Sequence, residues 1–241
     1  MDFPKESPEY RAAREKLLAQ EIELRRATEA VAVARRELPP GGLVNEDYVF
    51  EGAGADGAVK KFRLSELFSP GKDSLIIYNF MFPRDPNDDR PPSTGPSTRR
   101  LMLLEQPCPS CVSLLDQLDG AARHVGQITN FAVVAKTSAP TLLAFGKERG
   151  WRYLRLLSCA GTSFKRDYHG ETSAGDQRPM INVFQRTGGE IRHFWSSEIL
   201  YAPADPGQDP RHAGLLEPLW NLFDLTREGR PAKWDEQLDY H

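Results

Sequence analysis

Two short, continuously apolar runs, Ser74 to Phe80 and Asn130 to Ala135, alternate with helix-like segments from about Pro109 to Val125 and from Ala139 to Arg149. A third strand-like segment, Trp151 to Leu157, follows the second helix. A strand that is apolar on both faces must be covered on both, and intervening helices let neighbouring strands run parallel. The pattern predicts an α/β fold: a central mixed sheet, parallel at its middle, flanked by helices.

Two hairpins extend this sheet. Tyr48-Val49-Phe50 and Lys60-Lys61-Phe62 flank a glycine-rich turn at Gly52 to Gly57, and Ser65 to Phe68 reads as one helical turn. Met180 to Phe184 and Ile191 to Trp195 flank Thr187-Gly188-Gly189-Glu190, a second glycine turn. Ser7 to Leu38 reads as one long helix, begun by Ser7-Pro8 and stopped by Pro39-Pro40-Gly41-Gly42. Its apolar residues recur every seven positions (Tyr10, Leu17, Leu24, Val31 and Leu38). Such a stripe ordinarily packs on its own domain, with a homodimer contact as the alternative. Gly214 to Arg227 forms a last amphipathic helix, and the tail Trp234 to His241 has no pattern.

Between the first apolar strand and the first central helix lie Cys108-Pro109-Ser110-Cys111. Two thiols one helical turn apart can close a small disulfide ring and reopen it. At a helix start, the dipole and free N–H groups favour the thiolate, and Pro109 fits the first helical position. In a redox reading Cys108 is the expected nucleophile and Cys111 the resolving thiol; two ordinary cysteines, or half of a zinc site, are the other readings of a bare CxxC. The segment Pro83 to Pro107 that precedes the pair holds six prolines and many charges. A loop this long is functional or disordered. It either covers the thiols or is solvated.

Composition narrows the partners. The 241 residues are 39% hydrophobic and 27% charged, with a formal net charge of −3, so no basic excess points to nucleic acid. No apolar run approaches the length of a membrane span, and the N-terminus lacks signal-peptide regions. Cys108, Cys111 and Cys159 are the three cysteines, which suits a cytoplasmic protein rather than a secreted disulfide scaffold. A closed zinc site needs four ligands, and neither a second CxxC nor an HxxxH supplies them. No metal and no cofactor is expected. Cys159, at a strand end, reads as a packing residue, and the five histidines form no pattern.

Strand, CxxC helix, strand, helix and proline-led hairpin together resemble the thioredoxin fold. Members carry a cis-proline opening the strand opposite the CxxC, an aromatic five residues on and then a glycine turn. Pro179, Phe184 and Gly188-Gly189 match those places. The early hairpin and the extra strand resemble its peroxiredoxin-like branch. The whole chain from about Ser7 to Tyr240 is similar to the DUF899 family of bacterial thioredoxin-like proteins. The matching residues are Arg35-Arg36-Glu37-Leu38-Pro39, Tyr78 to Phe82, the cysteine pair, Pro179 to Phe184 and Trp220 to Asp224. The proline-rich insert departs from that pattern.

The resemblance implies residues 1–42 as an N-terminal amphipathic helix and 43–241 as a thioredoxin-like domain, with its insert at 83–107 and a C-terminal helix. It implies a dithiol–disulfide oxidoreductase using Cys108 and Cys111, with Pro179 shaping the substrate groove. The partner would be a disulfide-containing protein or small thiol. A thiol peroxidase is the first alternative. Peroxiredoxins place Thr or Ser three residues before the reactive cysteine and Pro seven before it. Glu105 and Leu101 stand there for Cys108, and Cys108 and Leu104 for Cys111. The second alternative is a non-catalytic, redox-sensing interaction protein.

Overall fold

The computed structural model describes residues 3–208, 216–231 and 233–240. The chain divides into two compact units, Met1–Gly41 and Gly42–His241. The first is helix α1, Pro8–Arg36. The Ser7 hydroxyl accepts the Tyr10 N–H, Glu9 lies in the first turn and Arg35 and Arg36 in the last, all matched to the helix dipole.

The second unit is built on a seven-stranded sheet. Its strands are β1 (Val49–Ala53), β2 (Val59–Arg63), β3 (Ser74–Asn79), β4 (Asn130–Ala135), β5 (Leu156–Ser158), β6 (Met180–Thr187) and β7 (Glu190–Ser196), in the order β2-β1-β5-β4-β3-β6-β7. β3, β4 and β5 are parallel. β1 runs antiparallel to both β2 and β5, and β6 to both β3 and β7. Helices α2 (Pro109–Val125) and α3 (Ala139–Arg149) make the crossovers from β3 to β4 and from β4 to β5. The β4-β3-β6-β7 core with its α2 crossover is the thioredoxin-like arrangement. The β1–β2 hairpin and β5 widen the sheet as in the peroxiredoxin-like branch.

The period-2 alternation of the central strands divides the core. From β4, Val133 and Ala135 face a cluster containing Val112, Leu114 and Leu115 of α2 and Leu142 and Phe145 of α3. Ala132 and Val134 face the opposite cluster of Tyr48, Phe50, Leu64, Phe164 and Phe184. Phe164 lies on α4 (Phe164–Asp167), a short helix that the sequence pattern did not announce. Its ring meets those of Tyr48, Phe50, Tyr168 and Phe184, with centroids 5.1 to 5.9 Å apart. Removing this hub leaves a cavity its neighbours cannot fill. Phe164→Ala is expected to cost about 3–5 kcal/mol in urea unfolding, whereas a loss below about 1 kcal/mol would deny it that place.

Two elements differ from the sequence pattern. The strand expected over Trp151 to Leu157 is confined to Leu156–Ser158. Asp119 on α2 accepts the N–H groups of Arg152, Tyr153 and Leu154 at 2.9, 2.9 and 3.1 Å, taking donors that a strand would give to its neighbour. The last helix, α5, spans only Pro218–Phe223. Gly214 and Leu215 of the expected segment lie outside the described residues.

Candidate functional site

The cysteine pair sits where β3 gives way to α2. Phe80 continues the β3 path and donates its N–H to the Val134 carbonyl at 2.9 Å. Next to it, the Met81 carbonyl accepts the Cys108 N–H at 2.9 Å. Cys108 is the N-cap of α2, with φ −70° and ψ 125°, and Pro109 takes the first helical position. The Cys108 carbonyl accepts the Val112 N–H at 3.0 Å, the first bond of the helix. Local sequence thus places Cys108 at the positive end of the helix and Cys111 one turn inside, and both are free thiols.

The two thiols are pushed apart in acidity. The Cys108 pKa is lowered, foremost by its interaction with the Cys111 thiol and then by the Cys111 backbone N–H and the Arg90 charge, while burial and Asp88 oppose this. The Cys111 pKa is raised well above the ordinary thiol value by burial and by the neighbouring Cys108 sulfur, against a hydrogen bond with Tyr78. One thiolate shared by the pair therefore resides on Cys108, with Cys111 as the protonated partner.

Arg90 is the main cation of this arrangement, and it comes from the proline-rich insert. Its Nη2 donates to the Cys108 sulfur at 3.6 Å. Nε and Nη2 grip the two Asp88 oxygens at 2.9 Å each. Nη1 donates to the Ser110 hydroxyl at 2.7 Å and to Asp235 at 2.8 Å. Arg84, whose side chain is fully buried, fastens the insert to the CxxC loop through its guanidinium bonds to the Arg90 and Pro107 carbonyls at 2.7 and 3.0 Å. The insert is folded against the pair and brings charge to it.

The C-terminal tail also belongs to the site, correcting its featureless appearance in the sequence. Leu238 is packed in the same core cluster as Cys108 and Cys111. Arg149 donates to the Leu238 carbonyl at 2.7 Å, and Asp239 accepts the Thr94 N–H at 2.6 Å. Between these anchors and Trp234, Asp235 reaches Arg90, and the Glu236 carboxylate accepts the Ser110 hydroxyl at 3.0 Å. Burial, followed by the neighbouring Asp235, raises the Glu236 pKa to about 7.

A carboxyl with a raised folded-state pKa stabilises the fold most fully below its unfolded value of about 4.3, and that contribution is lost as pH rises through about 7. Glu236→Gln keeps an acceptor for Ser110 and removes the titration. The urea midpoint of the parent protein is therefore expected to fall relative to that of the variant between pH 5 and 8. Parallel curves would assign Glu236 an ordinary acidity.

Cys108, Cys111 and Pro179 line one cavity of about 620 Å³, together with Tyr78, Arg90 and Trp220. The sequence-expected site residues are thus brought together, with one correction. Among the described residues the cis peptide is Phe82–Pro83, so the bond before Pro179 is trans. An X–Pro motif ahead of a strand does not select the isomer, because the intrinsic preference is only about 0.5–1 kcal/mol. Pro179 still opens the strand beside the thiols, and its carbonyl accepts the Tyr201 hydroxyl at 2.8 Å.

Cys159 lies in the opposite core cluster. Its thiol donates to the Ala135 carbonyl at 3.2 Å, and burial pushes its pKa up to about 11. It is a packed thiol rather than a third member of the pair. Arg90, Asp88, Asp235 and Glu236 were missed in the sequence. Arg90 is 18 positions before Cys108, and the tail carboxylates are more than 120 positions beyond it, so no local spacing joins them.

No curated protein matches this sequence. Among solved structures it is similar to reduced Prx3 of Vibrio vulnificus in complex with H2O2, at 12% identity and a TM-score of 0.38, over 71% of this chain and 91% of that one. It is also similar to a cysteine-to-serine mutant of peroxiredoxin Q of Xanthomonas campestris, at 11% identity and a TM-score of 0.43, over 65% and 84%. A peroxiredoxin-like protein from Aquifex aeolicus gives 12% and 0.40, over 66% and 75%. The model of a family described as bacterial protein of unknown function, DUF899, matches residues 2–240, and the chain belongs to that family.

Proposed function

We propose that this protein is a dithiol–disulfide oxidoreductase whose nucleophile is Cys108. The observation that carries this reading is the placement of the pair: Cys108 is the N-cap of α2 with an Arg90 N–H at 3.6 Å from its sulfur, and Cys111 follows one turn inside the helix; the lowered Cys108 and raised Cys111 pKa values agree with it. The Cys108 thiolate attacks one sulfur of a substrate disulfide, forms a mixed disulfide and expels a thiolate. Cys111 then gives up its proton and attacks the Cys108 sulfur, closing the Cys108–Cys111 disulfide and expelling the second thiolate. Two electrons pass from the pair to the substrate, and an external dithiol returns them.

The test is reduction of 2-hydroxyethyl disulfide with dithiothreitol as the electron source. Turnover well above the dithiothreitol background is expected, with hydrogen peroxide consumed no faster than by a free thiol. Background-level turnover of the disulfide would refute the reading, and fast, Cys108-dependent peroxide consumption would replace it with the peroxidase alternative.

A further inference from the structure

The walls of the thiol cavity restrict what can reach Cys108. That residue is only 1% exposed, so a disulfide held on the surface of a folded protein cannot be brought against its sulfur without displacing the insert or the tail. The cavity, about 620 Å³, is of the size that encloses a small molecule.

Charge restricts it further. Six carboxylates line the cavity (Asp85, Asp88, Asp89, Glu217, Asp235 and Glu236) against two guanidiniums, Arg90 and Arg230, a formal −4. With Glu236 protonated the balance is still −3. Both guanidiniums are engaged by carboxylates: Arg90 by Asp88 and Asp235, and Arg230 by Asp224 at 2.9 and 3.0 Å. Cys108 lines the same cavity, so its sulfur, once ionised, adds to this negative charge. Within a low-dielectric cleft such a lining concentrates cations and repels anions, the more so because only part of the field is screened by salt.

We infer that the cavity selects a small disulfide bearing amino groups and discriminates against small disulfides bearing carboxylates. This rests on the oxidoreductase reading and names its substrate class. In the step itself the Cys108 thiolate forms a bond to one sulfur of the cationic disulfide and releases an aminothiolate. Cys111 loses its proton to solvent, bonds to the Cys108 sulfur and releases the second aminothiolate. The carboxylates make no covalent bond; they raise the local concentration of the ammonium groups that flank the disulfide.

The experiment compares three disulfides of similar size on the full-length reduced protein: cystamine with two ammonium groups, 2-hydroxyethyl disulfide with none, and 3,3′-dithiodipropionate with two carboxylates. Each second-order rate is divided by the rate of dithiothreitol with the same disulfide, which removes intrinsic reactivity. The normalised rate is expected to be at least tenfold greater for cystamine than for dithiodipropionate at low ionic strength. The neutral disulfide is expected between them, and the gap closes in 0.5 M salt. The Asp85→Asn, Asp89→Asn double variant is expected to narrow the gap at low salt. Equal normalised rates, all well above one, would overturn the charge selection and leave the oxidoreductase reading in place. Normalised rates at or below one for all three would overturn both.

Discussion

Cys108→Ser is expected to abolish disulfide reduction, whereas Cys111→Ser stops the reaction at a stable mixed disulfide on Cys108. A serine hydroxyl at the helix N-cap keeps the local geometry but supplies no thiolate, so the loss should bring turnover to background, a fall of about three orders of magnitude. Cys111→Ser keeps the thiolate yet removes the resolving sulfur. The adduct accumulates because the remaining thiol, Cys159, is in the other core cluster. Mass spectrometry of the intact variant after exposure to 2-hydroxyethyl disulfide should show a single added half-disulfide. No adduct on Cys111→Ser, or an adduct that persists when Cys108 is also replaced, would move the nucleophile elsewhere.

Arg90→Met should produce the second largest loss. The guanidinium contributes three things at once: a charge beside the Cys108 sulfur, a donor to Ser110 in the CxxC, and the counter-ion for Asp88 and Asp235. Removing it leaves Asp88 facing the thiolate, and Asp88 already works to raise the Cys108 pKa. Both changes disfavour ionisation. The pH midpoint of Cys108 alkylation by iodoacetamide is expected to rise by about one unit or more, equivalent to about 1.4 kcal/mol, with a fall of roughly tenfold in exchange rate at pH 7. Arg90→Lys should recover part of the midpoint shift, because it restores the charge but not the planar fork that spans Asp88, Ser110 and Asp235. If Arg90 serves only to hold the insert, Arg90→Met will lower stability and leave the alkylation midpoint where it was.

The fold was legible wherever a residue's partners lie nearby in sequence. The Ser7 cap, the Pro109 helix start and the left-handed Gly150 after Arg149, with φ 79°, are local devices, and α1, α2 and α3 begin and end at or within two residues of where those devices put them. The apolar runs at β3 and β4 declared central strands because both faces are buried. What stayed hidden depends on long-range competition. Asp119 removes three N–H groups from the strand pattern before Leu156, and that carboxylate is 33 positions from the first of them. The thiol pair was readable from its spacing, but its electrostatics were not. Arg90 sits in a proline-rich, charged segment whose composition left covering the thiols and being solvated equally open, and Glu236 in a tail with no periodicity. Both reach Ser110 only because buried Arg84 and the Asp239–Thr94 contacts fold those segments back.

Cys108 and Cys111 are expected to exchange two electrons as a pair. Equilibrating the full-length protein in dithiothreitol buffers of graded redox potential, trapping thiols by rapid alkylation and counting them by mass tests this most directly. One two-electron transition is expected, in which Cys108 and Cys111 lose reactivity together and a peptide containing a Cys108–Cys111 disulfide appears, while Cys159 remains a thiol throughout. Two cysteines that stay reduced across the whole range, or a disulfide that includes Cys159, would contradict it.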